Sequence, residues 1–140
     1  MAKFRITKEV EWDAAHRLSK HKGLCANVHG HRYKAAFTLE ADKLNDDDMV
    51  IDFGPVKNAV KTWIDANWDH ATILTRDDEA LVNELRDCDF RVWTTQRRVD
   101  PTAEVMAAIL GTLDWDLPKG VRLHSVKVWE TPTASAEYIL

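Results

Sequence analysis

The sequence predicts an α+β fold built on an antiparallel sheet. Three observations predict it. Residues 4–16 and 29–41 alternate with a period of two. Two later segments repeat apolar residues at helical spacing. The order reads strand, strand, helix, strand, helix, strand, with a minor extra helix at 77–86.

In the first strand Phe4, Ile6, Val10, Trp12, Ala14 and His16 share one parity, broken only by Lys8. The segment 17–28 is polar and basic, holds Gly23, and reads as a loop. In the second strand His29, His31, Tyr33, Ala35, Phe37, Leu39 and Ala41 lie on one face. After the acidic turn at 45–48, Asp52 is a candidate helix cap, with Pro55 in the first turn, where its missing N–H costs nothing. Val56, Ala59, Val60, Trp63 and Ile64 form that helix's apolar stripe. Phe90 to Thr95 reads as a strand. Asp100 is the candidate cap of a helix with Val105, Ala108, Ile109 and Leu113 as its stripe, and a last strand runs from about Val121 to Glu130.

With 140 residues, one domain covering 1–140 is expected. An apolar fraction of 45% and six tryptophans argue for a buried core and against disorder. No run approaches the ~20 apolar residues of a membrane span. The start of the chain lacks a signal-peptide layout. Two cysteines are too few for a disulfide framework, so a cytoplasmic protein with free thiols is expected. The net charge of −4 argues against a general nucleic-acid binder.

If the first two strands pair as a hairpin, His16 at the end of one lies beside His29 and His31 at the start of the other. By parity all three point to the apolar face, with His29 and His31 roughly 7 Å apart along the strand. Three imidazoles without a carboxylate are the ligand set of a catalytic zinc, which keeps a fourth position for water or substrate. His21 and His124 read as solvated or locally hydrogen-bonded.

Cys25 stands in a loop with Arg17, Lys20, His21 and Lys22. Cationic neighbours favour a thiolate that acts as base or nucleophile; a fourth metal ligand or a passive small residue are the other readings. Cys88, between Asp87 and Asp89, reads as structural. Asp69 and His70 are adjacent: in a strand they would point apart, in a loop both can reach one site and shuttle a proton. Glu130 shares the parity of Val126 and Val128, so its carboxylate needs a partner, such as a ligand with paired N–H donors. Glu104 reads first as a helix-start charge.

The ordered set C-x-x-x-H-G-H (25–31), 13-DAAHRL-18, 51-IDFGPVK-57, 69-DH-70, 101-PTAE-104 and 129-WET-131 resembles the family of 6-pyruvoyl- and 6-carboxy-tetrahydropterin synthases over nearly the whole chain. The three-residue gap between Cys25 and His29 is more similar to the carboxy-type enzymes of queuosine and 7-deazapurine biosynthesis. Trp68, Val105 and Val28 depart from residues common in the family, without removing a chemical group.

The resemblance implies a T-fold: a four-stranded antiparallel sheet with two main helices packed on one face. It implies zinc on His16, His29 and His31, a proton-transfer group of Cys25, Asp69 and His70, and Glu130 on the pterin's amide and amino edge, with Glu104 lining the same pocket. It implies a homohexamer, a dimer of trimers with active sites between subunits, so that Cys25 and the Asp69–His70 pair can come from different chains. The implied activity is that of a zinc-dependent carbon–carbon lyase. It converts 7,8-dihydroneopterin triphosphate to 6-carboxy-5,6,7,8-tetrahydropterin, acetaldehyde and triphosphate. Arg17, Lys20, Lys22 and Arg32 are candidate cations for the triphosphate. The alternatives are 6-pyruvoyl-tetrahydropterin as product, or a noncatalytic pterin- or purine-binding protein whose zinc is closed off by Cys25.

Overall fold

A computed structural model describes residues 3–140. Strands β1 (Phe4–His16) and β2 (His29–Ala41) form a long antiparallel hairpin in register from Phe4↔Ala41 to His16↔His29. Helix α1 (Phe53–Asn67) follows, then β3 (Thr72–Thr75), α2 (Glu79–Asp87), β4 (Val92–Thr95), α3 (Ala103–Thr112), β5 (Val121–Thr131) and β6 (Ala134–Ile139). The six strands make one sheet in the order β4-β3-β1-β2-β5-β6.

This corrects the expected four strands and two helices. An antiparallel set of four strands exists, but its members are β1, β2, β5 and β6. The strand expected at 90–95 is β4. It lies at one edge beside β3, and these two join β1 in parallel. The unforeseen β3 is four residues long, too short for an alternation to register. The minor helix at 77–86 is real as α2, shifted slightly along the chain.

One face of the sheet carries the core. Trp12, Tyr33, Ala35, Phe37, Val126 and Val128 pack there against Val60 and Ile64 of α1 and Met106, Ala107 and Leu110 of α3. Asp52 caps α1 as expected, accepting from the Gly54 amide at 3.0 Å. Asp100 does not cap α3. Thr102 does, accepting from the Val105 amide at 3.2 Å, which leaves the buried Asp100 carboxylate for the 17–28 loop. The opposite face is polar and laced by cross-strand pairs such as Arg32–Asp13 and Lys34–Glu9. No helix among the described residues is long and apolar enough to cross a membrane.

Candidate active site

The hairpin register decides where the histidines meet. His16 is paired directly with His29, and Ala14 with His31, so the three imidazoles gather on the core face at the end of the hairpin closed by the 17–28 loop. Their ring centroids lie 4.6 to 5.1 Å apart, and one ring nitrogen from each lies within 4.8 Å of the others. The Tyr33 ring packs edge-on beneath His16 and His31, at 5.8 and 5.4 Å.

Two backbone carbonyls fix the tautomers. His16 Nδ1 donates to Pro101 O at 2.8 Å, and His29 Nδ1 donates to Asn27 O at 2.7 Å. In the neutral rings that leaves both Nε2 atoms as lone pairs, and they face each other at 3.1 Å. His31 Nε2 is buried without a hydrogen-bond partner. Burial pushes His16 down to about 4 and also lowers His31, against the pull of the nearby Glu130. The His16 and His29 Nε2 lone pairs thus face each other with the unpartnered His31 ring nearby, an arrangement that a cation would satisfy. Sequence reasoning did not find the two carbonyls, because any residue supplies one.

Asp69 and His70 follow α1 in a tight turn that brings their side chains together: His70 Nδ1 is 3.0 Å from Asp69 Oδ1. Burial raises the Asp69 carboxyl, but the His70 ring, the Asp13 amide and Lys61 more than offset it, so it lies below its ordinary value. His70 and His31 line one concavity with Ala14, Gly30 and Thr72. Glu130 is half-buried near the end of β5, close enough to His31 and Tyr33 for its charge to act on both.

Cys25 is half-buried on the 3-10 turn Leu24–Ala26, outside the histidine cluster. Glu104 is exposed in the first turn of α3, also outside the cluster. Three of the candidate triphosphate cations are engaged elsewhere. Arg17 binds Ala26 O and Asp78, Lys20 Nζ binds Arg98 O, and Arg32 pairs with Asp13. Lys22 is exposed.

The family model described as 6-pyruvoyl tetrahydropterin synthase matches residues 5–139. The chain belongs to this family. Its relatives include a 6-carboxy-5,6,7,8-tetrahydropterin synthase of Rickettsia typhi, 40% identical over 140 residues, covering 95% of this chain and 98% of the relative. The protein of the same name from Haemophilus influenzae is 34% identical over 142 residues, covering 96% and 98%. Among solved structures, an uncharacterized protein of Wolinella succinogenes superposes with a TM-score of 0.80 at 25% identity over 99% of both chains. The 6-pyruvoyl tetrahydropterin synthase of Caenorhabditis elegans superposes at 0.70 and 21% identity over 100% and 97%, a likeness of fold. Members of the family thus share this hairpin-and-helix architecture, with the sheet curling around the core face.

Proposed function

We propose that this chain is a zinc-dependent 6-carboxy-5,6,7,8-tetrahydropterin synthase acting on 7,8-dihydroneopterin triphosphate, and that the carbon–carbon lyase reaction releases acetaldehyde and triphosphate. The observation that carries the reading is the pair of Nε2 lone pairs of His16 and His29 at 3.1 Å with the unpartnered His31 Nε2 beside them. The spacing suits zinc, whose tetrahedral nitrogen ligands at ~2.0–2.1 Å lie ~3.3 Å apart. The carboxy product is favoured by curated relatives of that name at 32–40% identity over about 95% of the chain.

His16, His29 and His31 would hold the metal, which when bound supplies Lewis acidity to the hydroxyls of the substrate side chain. Glu130 grips the paired N–H donors of the pterin edge, a bidentate charge-assisted contact, and Glu104 lines the same pocket. Cys25 removes a proton from the side chain, and His70 returns one, oriented by Asp69. The exposure of His70 and the position of Cys25 outside the histidine cluster fit a site completed by a neighbouring subunit. So do the sheet edges: beyond Ala15 and His16, the outer side of β1 has no strand paired to it among the described residues, nor does the outer side of β6. A homohexamer in the cytoplasm is the assembly we propose.

Incubation with dihydroneopterin triphosphate and mass identification of the product tests the reading. 6-Carboxy-tetrahydropterin with acetaldehyde supports it. 6-Pyruvoyl-tetrahydropterin assigns the elimination without carbon–carbon cleavage. No turnover by the zinc-loaded oligomer assigns a binding protein, although that reading needs Cys25 among the metal ligands.

A further inference from the structure

Asp100 is a buried carboxylate, 6% exposed, at a position where the sequence calls for a helix cap. The cap is Thr102 instead. Asp100 turns toward the 17–28 loop: Oδ1 accepts from the Ser19 hydroxyl at 2.6 Å and Oδ2 from the Lys20 amide at 2.9 Å. The next residue, Pro101, offers its carbonyl to His16 Nδ1 at 2.8 Å. Thr102 closes the turn by donating its amide to Asp100 O at 2.9 Å. One dipeptide therefore ties together the last residue of β1 and the third and fourth residues beyond it. Burying a charge away from a bidentate cation is costly, so a carboxylate satisfied mainly by a hydroxyl and an amide needs a reason.

We propose that Asp100 is a positioning residue for the histidine centre. By anchoring the 100–102 turn to the loop it holds the Pro101 carbonyl against His16 Nδ1, which keeps the proton there and presents Nε2 to the cation. The same anchor holds the start of the loop that carries Cys25, whose carbonyl accepts from the Leu18 amide at 2.9 Å. Proline donates no amide of its own, and the hydrogen bonds from this dipeptide to Ser19 and Lys20 are those of the Asp100 carboxylate. Outer partners of this kind typically change metal affinity by ~10–100-fold. The inference rests on the three histidines being metal ligands, and its test separates the two.

The experiment compares wild type, Asp100→Ala, Asp100→Asn and His31→Ala. Zinc affinity is measured by competition with a chromophoric chelator, and the His16 ring nitrogens by long-range proton–nitrogen NMR of the metal-free protein. Circular dichroism reports folding. Asp100→Ala is expected to fold, to bind zinc ~10–100-fold more weakly, and to lose the single Nδ1–H signature of His16. Asp100→Asn, which keeps one acceptor for Ser19, is expected to fall between. A folded Asp100→Ala with wild-type affinity and an unchanged His16 spectrum overturns the inference. If instead His31→Ala binds zinc as wild type does, the three-histidine reading is the one that fails, and the metal-free His16 spectrum still decides the role of Asp100.

Discussion

His70 Nδ1 lies 3.0 Å from Asp69 Oδ1 although the two residues are sequence neighbours. In a strand they would leave the backbone on opposite sides. His70 instead adopts φ 60°, a left-handed conformation that costs a residue with a Cβ ~1 kcal/mol or more. The β1 backbone holds the turn from both directions: Asp13 N donates to Asp69 Oδ1 at 3.3 Å, and Asp13 O accepts from the His70 amide at 2.7 Å. The turn thus keeps His70 in a strained conformation that its neighbours on β1 hold in place.

That strain predicts opposite effects on stability and turnover. His70→Gly relieves the backbone and is expected to match or exceed wild type in urea denaturation, whereas His70→Ala is ~1 kcal/mol less stable than His70→Gly. Both lose ~10²–10⁴-fold in kcat if His70 transfers a proton. Asp69→Asn keeps the shape but loosens the ring, so kcat falls with KM little changed. Near-wild-type kcat in His70→Gly would remove this residue from the reaction.

Zinc is expected to bind one per chain and to stabilise the fold. At a free concentration 100-fold above the dissociation constant the gain is ~2.7 kcal/mol. His31→Ala removes the nitrogen that has no protein partner and is expected to abolish both the stoichiometry and the thermal shift. Cys25→Ala, whose side chain lies outside the cluster, is expected to keep the zinc and lose turnover. Metal analysis alongside thermal melts separates these outcomes, and loss of zinc from Cys25→Ala would make the cysteine a ligand.

Much of this was legible because long strands advertise themselves. Thirteen residues of alternation in each of β1 and β2 fixed both the hairpin and the side on which His16, His29 and His31 emerge. What escaped was of two kinds. Strands β3 and β6 are four and six residues long, too short for an alternation to stand out. The other kind is carried by backbone: the carbonyls of Asn27 and Pro101 orient two imidazoles and leave no trace in side-chain pattern. Asp100 shows how a local rule misleads. Its spacing from α3 fits a cap, but the loop offered the carboxylate partners with which the cap could not compete.

Glu40 predicts an acid-sensitive element of stability away from the site. Its carboxylate, 8% exposed, accepts from Arg5 Nε at 2.9 Å and Arg122 Nε at 2.7 Å, with Lys3 and His124 nearby. The Arg5 hydrogen bond first, and then Arg122 against the opposing effect of burial, hold it down to about 2 from 4.5. The folded value is depressed, so the unfolded chain takes up the proton first. The contribution is complete above about pH 4.5 and is lost as pH falls toward 2. Urea midpoints of wild type and Glu40→Gln are expected to differ at pH 6 and to converge as the pH approaches 2. A constant difference across that range would mean that Glu40 keeps an ordinary carboxyl.

The contact between Gly111 and Tyr138 predicts a change of sign. Gly111 is buried at the end of α3, and a Cβ there would stand 2.5 Å from Tyr138 Cδ1 and 3.0 Å from Cε1, on β6. Replacing a helical glycine by alanine ordinarily gains ~1 kcal/mol. Here the methyl must push the ring, or the whole of β6, away from the helix, and overpacking of that kind costs ~1–3 kcal/mol. Gly111→Ala is therefore expected to be destabilising on balance. In a Tyr138→Ala background the obstacle is gone and only the helical preference remains, so the same substitution becomes stabilising. A double-mutant cycle by urea denaturation reads the coupling directly. If alanine at 111 had the same effect in both backgrounds, the helix and the edge strand would not be packed as closely as this contact requires.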